Sequence, residues 1–148
     1  MALLKAARTA QTLLVAEFVA SFNDTAVDAL TGATKAFGTT IAENLVFDVI
    51  NLPPGAVIVG GELIVETAGV GPTAYTAKLD TVDGTAILAA TSLLVAARTA
   101  ITGLGLAANA GSNVRLTMAS TVAVATAGKF RVRINYTIDR RATEVQPS

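Results

Sequence analysis

The sequence predicts an all-β fold, an antiparallel β-sandwich or jelly roll with extended N- and C-terminal arms. Three observations favour this class: apolar and polar residues alternate along several segments, turn residues separate those segments at near-regular spacing, and strands do not alternate with helices. A chain of 148 residues is expected to form one domain with its own core. We therefore divide it into an N-terminal arm (residues 1–11), a sandwich domain (12–139) and a C-terminal tail (140–148).

The clearest strand signal lies near the C-terminus, where Lys129–Arg140 reads KFRVRINYTIDR. Every second residue from Phe130 to Ile138 is apolar or aromatic, and the residues between them are polar or charged. One face of this strand is therefore expected to be buried and the other exposed. The same alternation predicts half-buried strands over Asn113–Ser120 and Tyr75–Asp80.

Two further segments, Glu43–Ile50 and Ala56–Glu66, are rich in Val, Ile, Leu and Phe, which favour strands. Between them lies Asn51–Gly55, whose two prolines cannot donate ladder hydrogen bonds and whose glycine tolerates a positive φ, so this segment is predicted to be a turn. The adjacent glycines Gly60 and Gly61 interrupt an otherwise strong strand. They predict a bulge or a bend.

Two segments are ambiguous. Thr12–Phe22 fits either a strand or part of a helix because it contains few β-branched residues. Ala86–Ala100 lacks clear alternation, and its Ala and Leu content fits a short helix as well as an irregular strand. With the clearer segments, the prediction is seven or eight strands.

The amino-acid composition excludes most kinds of catalytic and metal-binding site. The chain contains no Cys, His or Trp, which excludes disulfides, thiolate or imidazole metal sites and His-based catalytic relays. The sequence DTVDG at Asp80–Gly84 lacks the ligand spacing of a calcium loop and predicts a hairpin turn. The cluster of Asn23, Asp24 and Asp28 predicts a loop with Asx turns. We therefore expect no enzymatic activity, no cofactor and no bound metal.

The charge pattern argues against nucleic acid and membrane partners. Eleven basic and eleven acidic residues cancel, whereas a duplex-binding domain carries a positive excess. The apolar runs are too short to span a bilayer, and Glu17 interrupts the N-terminal run, which argues against a signal peptide. Few charges and no net charge give little protection from self-association, as suits a protein that works in an assembly.

The charges are unevenly distributed along the chain. Residues 1–83 have a net charge of −5, and residues 84–148 have a net charge of +5. Either the two halves interleave in the fold and the asymmetry disappears, or faces of opposite sign help copies dock. On the strands, Glu62 and Glu66 are expected to share one face, as are Arg131 and Arg133. These four residues are predicted to pair across a sheet or between subunits, or else to form a solvated charged face.

Three motifs carry a resemblance to a known family. They are the run Leu52–Ala68 (LPPGAVIVGGELIVETA), the segment Ala97–Thr102 (ARTAIT) and the ending Ala127–Tyr136 (AGKFRVRINY). In this order and spacing they resemble the pattern of capsid cement (decoration) proteins of tailed bacteriophages. The motifs are scattered over residues 45–140.

That resemblance implies a jelly-roll-type fold that binds the outer surface of an HK97-type capsid in many copies, as a homodimer or alternatively a trimer. It implies the major capsid protein as partner, a place in the virion after synthesis in the host cytoplasm, and no catalytic residues. Because such proteins contact the capsid largely through arms and loops, the basic residues of the two arms join the four strand residues as candidate contacts. These arm residues are Lys5, Arg8, Arg140 and Arg141. Alternative functions are a phage tail, baseplate or head-fibre component, and a glycan-binding sandwich module.

Overall fold

The computed structural model describes residues 13–39, 44–105, 107–108 and 112–138. Over these residues the protein is all-β, as predicted, and all its strand pairs are antiparallel. Seven strands have seven or more residues: β1 (Leu14–Ser21), β4 (Leu45–Leu52), β5 (Ala56–Val70), β6 (Ala74–Thr81), β7 (Ala86–Ser92), β10 (Ser112–Thr121) and β11 (Ala127–Ile138). Four are shorter: β2 (Thr25–Val27), β3 (Thr34–Ala36), β8 (Arg98–Ala100) and β9 (Ala107–Ala108). The predicted arm and tail lie outside the described residues.

The strands form two main sheets and a small hairpin. The first sheet has the order β1-β11-β5-β8, and β9 also pairs with β5. The second has the order β4-β10-β6-β7, and β2 pairs with β3. Most connections between long strands pass from one sheet to the other, so residues distant in sequence become neighbours. The two halves of the chain consequently interleave, which is the first of the two predicted outcomes for the charge asymmetry.

The core lies between the inner faces of the two sheets. The alternation in β11 was correctly interpreted, because Phe130, Val132 and Ile134 are all buried there. The second sheet contributes buried residues from the predicted alternations in β6 and β10, among them Leu79 and Leu116. Burial of these side chains stabilises each sheet only when the other covers it, which makes the sandwich the unit that folds.

The two ambiguous segments are strands in the structure. The first forms β1, where Ala16, Phe18 and Ala20 face the core and alternate with more exposed residues. The second forms β7 and the short β8, joined by a loop over residues 93–97. The helical alternative is wrong for both because pairing with neighbouring strands outweighs the helix preference of Ala and Leu. Within the part of the chain that the structure describes, there is no helical segment that could span a lipid bilayer.

Strand β5 contains a bulge next to the glycine pair Gly60-Gly61, as predicted. Asn135 pairs with Gly60 but Tyr136 pairs with Ile58, so Val59 is an extra residue in β5. In a regular strand, residues five apart face opposite sides of the sheet. The extra residue of the bulge shifts this alternation by one, so both Ile58 and Leu63 are buried on the same side. It therefore keeps both halves of β5 in the core.

The β2–β3 hairpin covers one edge of the sandwich, a feature the sequence did not reveal. Phe37, which follows β3, packs with ring centroids 5.7 Å from Phe18 in the first sheet and 4.7 Å from Phe47 in the second. The buried hydroxyl of Tyr75 donates a hydrogen bond of 3.0 Å to the Phe37 carbonyl oxygen. Asp28, also buried, accepts a hydrogen bond from the Val46 backbone N–H at 3.1 Å. These contacts join the hairpin to both sheets.

Candidate interaction surfaces

The outer face of the first sheet carries a compact group of charged side chains, which we call the charged face. The strand register places Glu17 of β1 directly opposite Arg133 of β11, and Arg133 opposite Glu62 of β5. The members are Glu17, Glu62, Glu66, Arg98, Lys129, Arg131 and Arg133. The four strand residues singled out from the sequence therefore lie together on one face.

Each carboxylate of the charged face contacts two cations. Glu66 lies 2.8 Å from Arg131 and 3.2 Å from Lys129, measured between carboxylate oxygens and side-chain nitrogens. Glu17 lies 2.7 Å from Arg131 and 3.2 Å from Arg133. These pairs are formed across the sheet within one chain, so pairing between subunits is not needed to satisfy them.

Glu62 extends the same network to the sheet edge. Its carboxylate lies 3.2 Å from Arg98 and 3.8 Å from Arg133. Four cations thus face three carboxylates, and only one positive charge is left over. Since the paired charges are partly exposed and screened by salt, each pair contributes little to stability. The charged face is therefore nearly neutral.

The network has a pH-dependent consequence. Hydrogen bonds from Lys129 and Arg131 hold the pKa of Glu66 below its usual value of 4.5. Outside the charged face, hydrogen bonds from the Thr31 hydroxyl and the Val46 N–H lower the pKa of Asp28 in the same way. A lowered folded-state pKa stabilises the protein above the ordinary carboxyl pKa, and that contribution is lost as the pH falls through the folded value. We expect Tm to stay constant from pH 7 to about 5 and to fall below about 4.5.

Thermal melts followed by circular dichroism between pH 7 and pH 3 measure this effect. The variant Glu66→Gln should show a shallower loss of Tm on acidification than the unmodified chain, since it has no carboxylate to protonate at this position. If Tm rises on acidification, or if the variant and the unmodified chain lose Tm equally, ionised Glu66 does not stabilise the folded protein.

The predicted turn at Asp80–Gly84 is confirmed, whereas the predicted loop over Asn23–Asp28 is interrupted by the short strand β2 (Thr25–Val27). In the β6–β7 hairpin the Asp83 carboxylate accepts hydrogen bonds from the Thr81 hydroxyl and the Thr85 backbone N–H, and Gly84 has a φ of 89°. The Asp24 carboxylate accepts a hydrogen bond of 2.7 Å from the Ser21 N–H. No group of three or more Asp or Glu side chains among the described residues is arranged to hold a metal ion.

The arm residues nominated from the sequence, Lys5, Arg8, Arg140 and Arg141, lie outside the described residues. The structure does locate the points from which the two terminal segments continue. Leu14, at the start of β1, pairs with Tyr136 near the end of β11. The start of β1 and the end of β11 therefore lie at the same end of the first sheet.

The opposite end of the sandwich carries a surface that the sequence analysis missed. It consists of the β5–β6 loop (71–73), the β7–β8 loop (93–97), the β10–β11 loop (122–126) and the adjoining Val70, and we call it the uncharged tip. No residue in the stretches 67–77, 84–97 or 116–128 is charged. These charge-free stretches were a usable signal, but only the fold brings their loops to one end.

The fold of this chain is similar to that of one solved phage protein. No family model matches this chain, and no curated protein matches it. Among solved structures, the fold is similar to a chain of the "Cyanophage Pam1 capsid asymmetric unit", with a TM-score of 0.60 and 20% sequence identity. The similarity covers 93% of this chain and 92% of that chain. The two proteins share a fold over nearly their full lengths.

Proposed function

We propose that this chain is a structural protein of a phage particle, which binds the outer surface of an HK97-type capsid and cements neighbouring capsomers against the pressure of packed DNA. The observation that carries the proposal is the shared fold with a chain of a cyanophage capsid asymmetric unit, over nearly the whole of both chains. The resemblance of three sequence motifs to the pattern of cement proteins also supports it. We propose further that the chain acts without catalysis or cofactor.

The strand order supports a jelly roll, the architecture expected for such a protein. Leaving aside the short β2, β3 and β9, the eight remaining strands in chain order form sheets 1-8-3-6 and 2-7-4-5. This is the arrangement produced when two Greek keys wrap around a common core. A rigid sandwich of this kind transmits load between its two ends, because separating the sheets would expose the core to water.

Cementing requires that each copy contact more than one neighbour. A subunit that bridges capsomers adds interfaces that must break before the shell ruptures, and many weak symmetric contacts act together. We propose that the terminal segments, with Lys5, Arg8, Arg140 and Arg141, attach the chain to the major capsid protein. We also propose that the chain works as a homo-oligomer, a dimer or alternatively a trimer.

Particles assembled without this chain test the proposal. We expect them to release DNA at a lower temperature than complete particles, as measured by a nuclease-accessible DNA signal during heating, and to be more sensitive to chelators. Adding the purified full-length chain back should restore the release temperature, while versions lacking residues 1–11 or 140–148 should restore it less.

Two controls make the result interpretable. Circular dichroism must show that the shortened versions are folded, and labelling of the C-terminus on intact particles must place the chain on the head. Equal release temperatures with and without the chain would contradict cementing. Labelling on the tail would favour a tail component instead.

A further inference from the structure

Backbone hydrogen bonds connect the loops of the uncharged tip, which exposes several valines. The Thr73 N–H donates to the Thr121 carbonyl oxygen at 3.1 Å, and the Thr126 N–H donates to the Val70 carbonyl oxygen at 2.9 Å, so the β5–β6 and β10–β11 loops are bonded at both ends. The Gly69 N–H, next to Val70, donates to the Leu93 carbonyl oxygen at 2.7 Å, which attaches the β7–β8 loop. Four valine side chains of this unit are exposed: Val70, Val95, Val122 and Val124.

Val122 combines exposure with a strained backbone. Its φ is 75°, and it is the one non-glycine residue with positive φ among the described residues. The Ala123 N–H donates to the Thr121 carbonyl oxygen at 3.0 Å, which closes a γ-turn with Val122 at its centre. This turn is rare and strained, and a β-branched residue suits it poorly. Val122 is nevertheless 81% exposed, so burial of its side chain in the core does not compensate for the strain.

We infer that the uncharged tip is the surface on which a second copy of this chain docks. A surface without charges is matched by another uncharged surface, and a second tip supplies one without like-charge repulsion. The exposed valines would then be removed from water, which is the driving force of most association.

The position of the tip favours another copy over the shell. The proposed function assigns the terminal segments to the capsid. They are joined to the start of β1 and the end of β11, and the tip lies at the beginning of β11. Twelve residues of strand separate the two ends by about 40 Å. If the far end holds the shell, the tip is free to meet a neighbouring copy. The inference rests on the proposed function in this step alone.

Sedimentation velocity on the purified full-length chain, over a concentration series at low salt and in 1 M NaCl, tests the inference. We expect concentration-dependent association that high salt does not weaken, because apolar burial rather than ion pairing drives it. The variant Val122→Asn should associate about tenfold more weakly. Its Tm should not fall, because Asn tolerates positive φ better than Val.

Val82→Asn is the matched control. Val82 is also an exposed valine in a tight turn, but it lies in the β6–β7 hairpin at the other end of the sandwich. This variant should associate like the unmodified chain. A chain that stays monomeric throughout the series, or a Val122→Asn variant that associates normally, overturns the inference.

Two further outcomes also overturn it and identify the alternative. Dissociation of the oligomer by salt would indicate the charged face as the interface. A monomeric chain whose attachment to particles is weakened by Val122→Asn would indicate the shell as the occupant of the tip. The experiment also separates this inference from the proposed function. Oligomers that depend on Val122 but do not bind phage particles would support the tip interface and contradict the capsid role.

Discussion

Replacing Ile134 with Asp should prevent the chain from folding. Ile134 lies in the middle of β11, between Ala16 of β1 and Gly61 of β5, and is fully buried. The substitution removes a core side chain and places a carboxylate where no cation is available. Loss of the apolar side chain alone costs about 2–5 kcal/mol, and an unpaired buried charge costs several more. Because domains are stable by only about 5–15 kcal/mol, this single change removes most or all of that stability.

The measurement is circular dichroism of the purified variant at 25 °C, together with its solubility. Asn135→Asp is the matched control, because Asn135 is the next residue of the same strand and faces the outer side of the sheet. The control should melt within a few degrees of the unmodified chain. A cooperative melt of Ile134→Asp at the normal temperature would mean that β11 does not lie in the core.

The sequence allowed the long strands to be predicted, because a strand with one buried face alternates apolar and polar residues, and this alternation can be read from the sequence. It also revealed the bulge, because Gly60-Gly61 is a recognisable break in an apolar run. The β2–β3 hairpin was missed because each of its strands has only three residues, too few to show a period. Its role depends on Phe37, whose packing against both sheets is a tertiary property.

The surfaces were harder to predict than the core. The sequence indicated that Glu62, Glu66, Arg131 and Arg133 would pair, but it left open whether they pair within one chain. Glu17 completes the network from a strand more than a hundred residues away in sequence, and no local pattern connects it to Arg131. The uncharged tip was missed for a similar reason: the sequence shows its charge-free stretches, but its three loops become neighbours only through strand pairing.

Replacing Gly61 with Ala should strongly destabilise the first sheet. Gly61 has a φ of 141°, a conformation that L side chains rarely adopt. A Cβ at this position would collide with the carbonyl oxygen of Arg133 in β11 and would lie 2.7 Å from Cδ1 of Ile101. The carbonyl belongs to the ladder between β5 and β11, so it cannot move without breaking the pairing at the bulge.

We expect Gly61→Ala to cost about 4 kcal/mol, which lowers the Tm of a domain of this size by about 12 °C. The neighbouring glycine supplies a control with the opposite sign. Gly60 does not have a positive φ, and a Cβ there would meet Asn135 Nδ2 at 3.7 Å, an ordinary contact. Gly60→Ala should therefore leave Tm unchanged or raise it slightly, because it reduces the entropy of the unfolded chain. Equal losses of Tm in the two variants would show that the bulge tolerates either residue, and would remove the geometric reason for a glycine at position 61.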